Sequence, residues 1–366
     1  MYMRCINLLG SKLYFEGWLY IYIYTLWLIL NDSQPFPQEV INQYIEENFQ
    51  PQKMMKGAKF SSLLVLFFIF PIAFAQLRVG FYSQSCPQAE TIVRNLVRQR
   101  FGVTPTVTAA LLRMHFHDCF VKGCDASLLI DSTNSEKTAG PNGSVREFDL
   151  IDRIKAQLEA ACPSTVSCAD IVTLATRDSV ALAGGPSYSI PTGRRDGRVS
   201  NNLDVTLPGP TISVSGAVSL FTNKGMNTFD AVALLGAHTV GQGNCGLFSD
   251  RITSFQGTGR PDPSMDPALV TSLRNTCRNS ATAALDQSSP LRFDNQFFKQ
   301  IRKRRGVLQV DQRLASDPQT RGIVARYANN NAFFKRQFVR AMVKMGAVDV
   351  LTGRNGEIRR NCRRFN

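Results

Sequence analysis

Histidine is scarce in this 366-residue chain: there are three, so any imidazole chemistry rests on His115, His117 and His238. Tryptophan is scarcer, and both copies, Trp18 and Trp27, lie near the N-terminus. Internal repeats and low-complexity tracts are absent, which excludes a repeat array. The first apolar run, residues 18–30, falls short of the ~20 residues a membrane-spanning helix needs, so a membrane anchor there is the weaker reading. Acidic residues are under-represented, 28 against 42 Lys and Arg, a net charge of +14.

The length and a 44% hydrophobic content suffice for a large core, or for two lobes around a cleft. Residues 1–75 read differently from the rest. Lys56 and Lys59 precede an apolar stretch, and Ala73-Phe74-Ala75 supplies a small-x-small cleavage site, so 54–75 reads as a signal peptide. Met54 and Met55 could each start translation just before it, which makes 1–53 an expected non-structural extension. Cleavage would leave Gln76 first, with 291 residues that keep the whole +14.

Of nine cysteines, Cys5 falls in the removed segment. The remaining eight, an even count behind a signal peptide, imply four disulfides in an oxidising compartment, and spacing alone leaves 105 pairings open. The positive charge favours an acidic surface or polymer as neighbour. The basic residues are dispersed apart from runs at 302–305 and 359–364. For a secreted chain, an anionic wall polysaccharide is therefore favoured over nucleic acid.

Apolar residues recur at helical spacing: Ile92, Leu96 and Val97; Phe148, Ile151, Ile154 and Leu158; Ile171, Leu174 and Ala175; Phe334, Phe338, Ala341, Met342 and Met345. The expected fold class is all-α. Several of these runs stop at glycine, at Gly184, Gly225, Gly306 and Gly346, where left-handed C-caps are expected. Leu207-Pro208-Gly209-Pro210 is the best boundary between an N-terminal lobe, 76–210, and a C-terminal lobe, 211–366.

An Ala109-Ala110-Leu111-Leu112 run favours helix leading into Arg113-Met114-His115-Phe116-His117-Asp118-Cys119. On that helix Arg113 and His117, four apart, share a face. A guanidinium beside an imidazole suits heterolysis of an O–O bond, where a base moves one proton and a fixed positive charge stabilises developing negative charge. A surface ion pair or a core histidine is the plainer alternative. His115 and His117 point about 200° apart on a helix, so zinc chelation by His-x-His is a minor reading, and His115 is expected to be structural, satisfied by the backbone. His238 sits among small and apolar residues in Leu234-Leu235-Gly236-Ala237-His238-Thr239-Val240-Gly241. That pattern suits a buried core histidine and equally an axial haem ligand. Such a ligand needs an acceptor on its other nitrogen, for which Asp311 is a candidate. Asp118, Asp125, Ser127 and nearby carbonyls form a hard-oxygen set suited to Ca²⁺, pinned by a possible Cys119–Cys124 bridge.

The run from Arg113 through His117, Asp118, Cys119, Gly123, Cys124 and Asp125 to Ser127, together with Gly236-Ala237-His238-Thr239-Val240-Gly241, closely resembles the class III secretory plant peroxidases. The likeness extends from Gly80-Phe81-Tyr82 through Val166-Ser167-Cys168-Ala169-Asp170, Gly193-Arg194-Arg195-Asp196 and Phe293-Asp294-Asn295 to Asn361-Cys362-Arg363. It implies a two-lobed haem peroxidase fold, one haem b between distal and proximal lobes, and two Ca²⁺. It also implies reduction of hydrogen peroxide with one-electron oxidation of small phenolic donors.

By that resemblance His117 is the distal acid/base, Arg113 its partner and transition-state stabiliser, Asn142 the residue hydrogen-bonded to His117, and Phe116 part of the distal pocket. His238 is the proximal iron ligand, polarised by Asp311, and Glu136 belongs to the distal network. The distal Ca²⁺ would be held by Asp118, Val121, Gly123, Asp125 and Ser127; the proximal one by Thr239, Asp286, Ser289, Arg292 and Asp294. The implied disulfides are Cys86–Cys162, Cys119–Cys124, Cys168–Cys362 and Cys245–Cys277, and Pro208 matches an aromatic-donor residue. Tyr188 stands where the family commonly has Trp, and Gly246 and Leu247 replace an Arg-Phe pair of some relatives, which leaves donor preference open. The sequon at Asn142 is discounted because that residue is expected to be buried. A monomer, without membrane or nucleic-acid partners, secreted to the apoplast, completes the expectation; only four residues follow Cys362, too few for a vacuolar sorting extension. A non-catalytic wall-binding protein and a zinc protein are the alternatives from other classes.

Overall fold

The computed structural model describes residues 77–366, so the expected extension, leader and membrane-anchor alternative lie outside the described residues. Twelve α-helices occur among the described residues: α1 (Ala89–Val103), α2 (Val107–Val121), α3 (Phe148–Ala161), α4 (Cys168–Leu182), α5 (Val214–Thr222), α6 (Thr228–Leu235), α7 (Ser249–Ile252), α8 (Pro267–Asn279), α9 (Gln296–Arg302), α10 (Gln309–Ser316), α11 (Arg321–Asn329) and α12 (Asn331–Met345). Among the described residues, strands are confined to one antiparallel pair, β1 (Gln242–Asn244) and β2 (Thr282–Ala284), with Gly243 opposite Ala283. No described helix is long and apolar enough to cross a membrane.

Every apolar repeat named from the sequence lies in a helix. The starts are set by local chemistry. Ser167 Oγ accepts from Asp170 N at the head of α4, Asn227 and Asp230 form a reciprocal box at α6, and Asn330 Oδ1 accepts from Phe333 N at α12. The central helix α2 differs, because its residues are buried on nearly every side, from Leu111 and Met114 to His115 and Cys119. Such burial suits a helix threaded between two cores.

One core joins α1, α3 and α4 with one side of α2, through Val93, Leu111, Ile151 and Leu174. Another joins Leu112 and Phe120 of α2 to Phe221, Phe297, Phe334 and Phe338 of α5, α9 and α12. A third, smaller core lies around Phe248, Leu269 and Leu308. The short 3-10 turn Gly236–Val240 packs against both α2 and α9, which brings the segment of His238 to the helix of His117.

Four disulfides link Cys86–Cys162, Cys119–Cys124, Cys168–Cys362 and Cys245–Cys277, the pairs that the resemblance implies. The Cys168–Cys362 bridge and the backbone pairs Arg195↔Leu351 and Asp196↔Glu357 return the C-terminus to the first half of the chain.

Two of the expected glycine caps differ from expectation. Gly184 and Gly225 have φ of 83° and 76°, the left-handed cap geometry. Gly346 is right-handed at φ −64°, and Gly306 is not among the positive-φ glycines. Both are sites of close approach instead. The buried Arg194 donates Nε to Gly346 O at 2.7 Å, and a Cβ there would sit 2.9 Å from Arg194 Nη2. The buried Arg251 donates Nη1 to Gly306 O at 2.8 Å, and a Cβ on Gly306 would meet the Gln312 backbone at 2.9 Å.

Candidate active site

α2 carries Arg113 and His117 four residues apart, on one face. His117 is buried, and its Nδ1 lies 2.6 Å from Asn142 Oδ1. Asn142 Nδ2 donates to Glu136 O at 2.7 Å, so the amide oxygen must face the imidazole. Nδ1 therefore carries the proton, and Nε2 keeps its lone pair. Burial and the nearby Arg113 charge lower the His117 pKa to about 4, against the opposing Asn142 bond, so the ring is neutral at pH 7. Arg113 donates Nη2 to Pro141 O at 2.9 Å, while its Nε is buried without a partner. Phe116 closes one side, its ring 4.3 Å from Phe120 and 6.1 Å from Phe221.

Across from α2, His238 Nδ1 lies 3.0 and 3.1 Å from the two carboxylate oxygens of Asp311, which is fully buried on α10. Burial alone would lower the His238 pKa, but the Asp311 charge and hydrogen bond outweigh it and the net shift is upward. Arg113 opposes that rise electrostatically, which places the two segments in each other's field. No described residue is hydrogen-bonded to Nε2 of either His117 or His238. Two imidazoles with anchored Nδ1 and free Nε2, one beside a guanidinium and one on a carboxylate, are a donor set that a haem could use.

Directly after His117 the chain builds an oxygen-rich cage. Asp118 Oδ2 accepts from Ala126 N at 3.0 Å and Asp125 Oδ1 from Ser127 N at 2.9 Å, whereas Asp118 Oδ1 and Ser127 Oγ are buried without partners. Burial and the neighbouring Asp125 and Glu136 charges push the Asp118 carboxyl well up, and burial raises Glu136 to about 8. Crowded buried carboxyls with unpartnered oxygens fit a hard divalent cation. Val121 ends α2, and Gly123, at φ 110°, lies where a side chain would collide with Asp349 O.

A second cluster forms around Asp286. Thr239 Oγ1 donates to Asp286 Oδ2 at 2.9 Å, Ser289 Oγ to Asp294 Oδ1 at 3.0 Å, and Arg292 N to Ser289 O at 3.0 Å. The described residues contain no cluster of three or more His, Cys, Asp and Glu side chains arranged as a metal site. Both cages depend instead on hydroxyls and carbonyls as well as carboxylates. Pro208 is half-buried ahead of α5, and the adjoining Leu207 packs on the same core that Phe116 flanks. Tyr188 has a buried hydroxyl without a partner, and Leu247 is 44% exposed.

A family model described as "Peroxidase" matches residues 93–330. Peroxidase 28 of Arabidopsis thaliana is 68% identical over 321 residues, covering 85% of this chain and 100% of that protein. Peroxidase 44 of Arabidopsis thaliana is 56% identical over 315 residues, 83% of this chain and 99% of that protein, and Peroxidase N1 of Nicotiana tabacum is 46% identical over 321 residues, 85% and 97%. The chain belongs to the class III plant peroxidases. It is a haem enzyme that reduces hydrogen peroxide while oxidising a donor, on the all-α peroxidase fold.

In this peroxidase His115 departs from expectation. It is buried, but no backbone group satisfies it: Nδ1 lies 3.5 Å from Cys119 Sγ and Nε2 has no partner. Burial and the Arg194 charge lower its pKa to about 3, so it remains neutral. The basic run at 359–364 is also not simply a surface. Arg359 is buried, donating to Asp125 O, Ala126 O and Cys362 O at 2.9 to 3.0 Å, and Arg363 pairs with Asp152.

Sequence reasoning missed three supports of the peroxidase's first oxygen cage. Arg359 holds its backbone, Ser200 Oγ donates to Ser127 O at 2.8 Å and accepts from Glu136 N, and Gly197 lies so close that a Cβ would overlap Asp125 Oδ2. Gly197 immediately follows Gly193-Arg194-Arg195-Asp196, the one local signal available.

Proposed function

We propose that this peroxidase cleaves hydrogen peroxide with His117 and Arg113 and holds one haem b through His238. Haem bound there supplies the redox chemistry. His117 Nε2 takes the proton from the near peroxide oxygen and delivers it to the leaving one, while the Arg113 guanidinium stabilises negative charge on the departing oxygen. Asn142 keeps the His117 tautomer that can do this, and Asp311 does the same for His238 and increases its donor strength. The paired anchoring, His117 on Asn142 and His238 on Asp311, is the observation that carries the reading.

Asp118, Val121, Gly123, Asp125 and Ser127 hold one Ca²⁺, and Thr239, Asp286, Ser289, Arg292 and Asp294 another, with Glu136 in the network linking the first to Asn142. Small phenols are the donors, with Pro208 at their site. The enzyme is a secreted, apoplastic monomer of a distal lobe, 76–210, and a proximal lobe, 211–366. Its surplus positive charge gives it an anionic wall polysaccharide as neighbour. An absorption spectrum of secreted protein before and after peroxide tests the core of this. A Soret band that changes on addition is expected, and iron-free protein without one would reject the haem assignment.

A further inference from the structure

The positive charge is far less dispersed than the sequence suggests at first reading. Residues 296–345 contain 12 Lys and Arg but two acidic residues, Asp311 and Asp317, a surplus of ten in a chain of net +14. Asp311 is buried against His238, so it does not neutralise the surface. The folded helices bring part of this surplus together. On α9, Lys299 and Arg302 stand one turn apart with Lys303 at the cap, and Arg302 Nη1 donates to Asn329 Oδ1 at the end of α11 at 3.2 Å. Arg326 of α11 stacks on the Phe333 ring of α12 at 3.9 Å, and Arg336 approaches the same ring at 6.0 Å. Arg340 follows Arg336 four residues later on the same face. Among the described residues none of these six cations forms a salt bridge, whereas nearby Arg305 pairs with Asp266 and Lys344 with Asp230.

Like charges gathered on one face repel one another over the range of a Debye length, ~8 Å at physiological salt, and a polyanion relieves that repulsion. We propose that the α9–α11–α12 face is a docking surface for an acidic polysaccharide, a chain of carboxylated sugars. The proposal rests on the reading of the surplus charge above and assigns it to one surface. Arginine forks pair with carboxylates in two-point contacts, and the exposed amides of Asn329 and Asn331 suit sugar hydroxyls. Other polyanions fit less well. Phe333 has Arg326 over its ring, so it is not free to stack a nucleobase, and none of the exposed large hydrophobic residues lies on this face to enter a bilayer. The opposite side of α9 faces the catalytic core, where Phe297 meets the His238 ring at 5.9 Å. A polymer docked here would be tethered beside the proximal histidine.

The test uses the full secreted enzyme and immobilised polygalacturonate, with its methyl-esterified form, single-stranded DNA and phosphatidylserine vesicles as comparisons. Arg302→Glu/Arg326→Glu/Arg336→Glu should weaken polygalacturonate binding on the order of tenfold, the scale of three lost exposed ion pairs. Arg98→Glu/Arg153→Glu/Arg354→Glu, an equal charge change at exposed sites elsewhere, should leave binding near the parent. Both variants should keep parental melting temperature and peroxidase rate with a small donor, which separates this surface from the catalytic reading. Equal weakening in both variants would assign the affinity to net charge and overturn the surface. Failure of the parent to bind, equal binding of the esterified polymer, or tighter binding to DNA or vesicles would overturn the polysaccharide.

Discussion

His238 and Asp311, 73 residues apart, meet with Nδ1 3.0 and 3.1 Å from the two carboxylate oxygens. Both carboxylate oxygens lie within reach of one N–H, and Asp311 is fully buried. Asp311→Asn keeps a hydrogen-bond acceptor and removes the charge. It should raise the haem reduction potential and slow peroxide cleavage by about 10- to 100-fold. Spectroelectrochemistry of the variant checks this, and an unchanged potential would rule out the polarising role.

His117→Ala removes the proposed proton carrier while leaving Arg113 and His238 in place. The bimolecular rate with hydrogen peroxide should fall by at least about 10² to 10⁴, the worth of positioned acid/base catalysis. Stopped-flow absorbance measures it directly. A rate equal to the parent's would remove His117 from the mechanism.

Chelation should unload both oxygen cages and release the crowded charges of Asp118 and Asp125. We expect the melting temperature to drop by about 5 °C or more, with activity falling alongside and both recovering on calcium readdition. Indifference to the chelator would reject calcium at both cages.

A Cβ on Gly197 would sit 2.1 Å from Asp125 Oδ2, well inside van der Waals contact. Gly197→Ala should therefore weaken calcium at the first cage on the order of tenfold or more. Gly209→Ala, where a Cβ meets nothing within 4 Å, should not. Calcium titration calorimetry of the two variants separates a cage-specific effect from a general one.

His115, held near pKa 3 when folded, titrates at about 6.5 once unfolded. Between those values the unfolded chain binds the extra proton, so native stability falls as pH drops from 6.5 toward 3 and levels off below. The full contribution is about 5 kcal/mol. In His115→Gln this component disappears, so the stability gap between parent and variant should change steadily across that window. Denaturant melts at pH 7, 5 and 4 that run parallel would contradict it.

Much of the site was legible because its parts are local. A helix turn links Arg113 to His117, and a six-residue loop links Cys119 to Cys124. What was not legible depends on distant segments. His115 was expected to find a backbone partner and has none, because its side of α2 is closed off by packing from distant segments. Gly306 and Gly346 were read as helix caps, yet buried arginines from elsewhere in the chain set their role. Arg359 belonged to a surface-like basic run until the Cys168–Cys362 bridge carried it inward.

By itself the sequence determined the helical class, the even cysteine set and the short segments that bear the chemistry, since these follow from periodicity and neighbour spacing. Only the tertiary structure decided which nitrogen of His117 and His238 stays free, which oxygens of the first cage lack partners, and where Arg302, Arg326 and Arg336 gather. Those outcomes depend on burial and on residues brought together across tens to hundreds of positions, and local spacing carries no record of either.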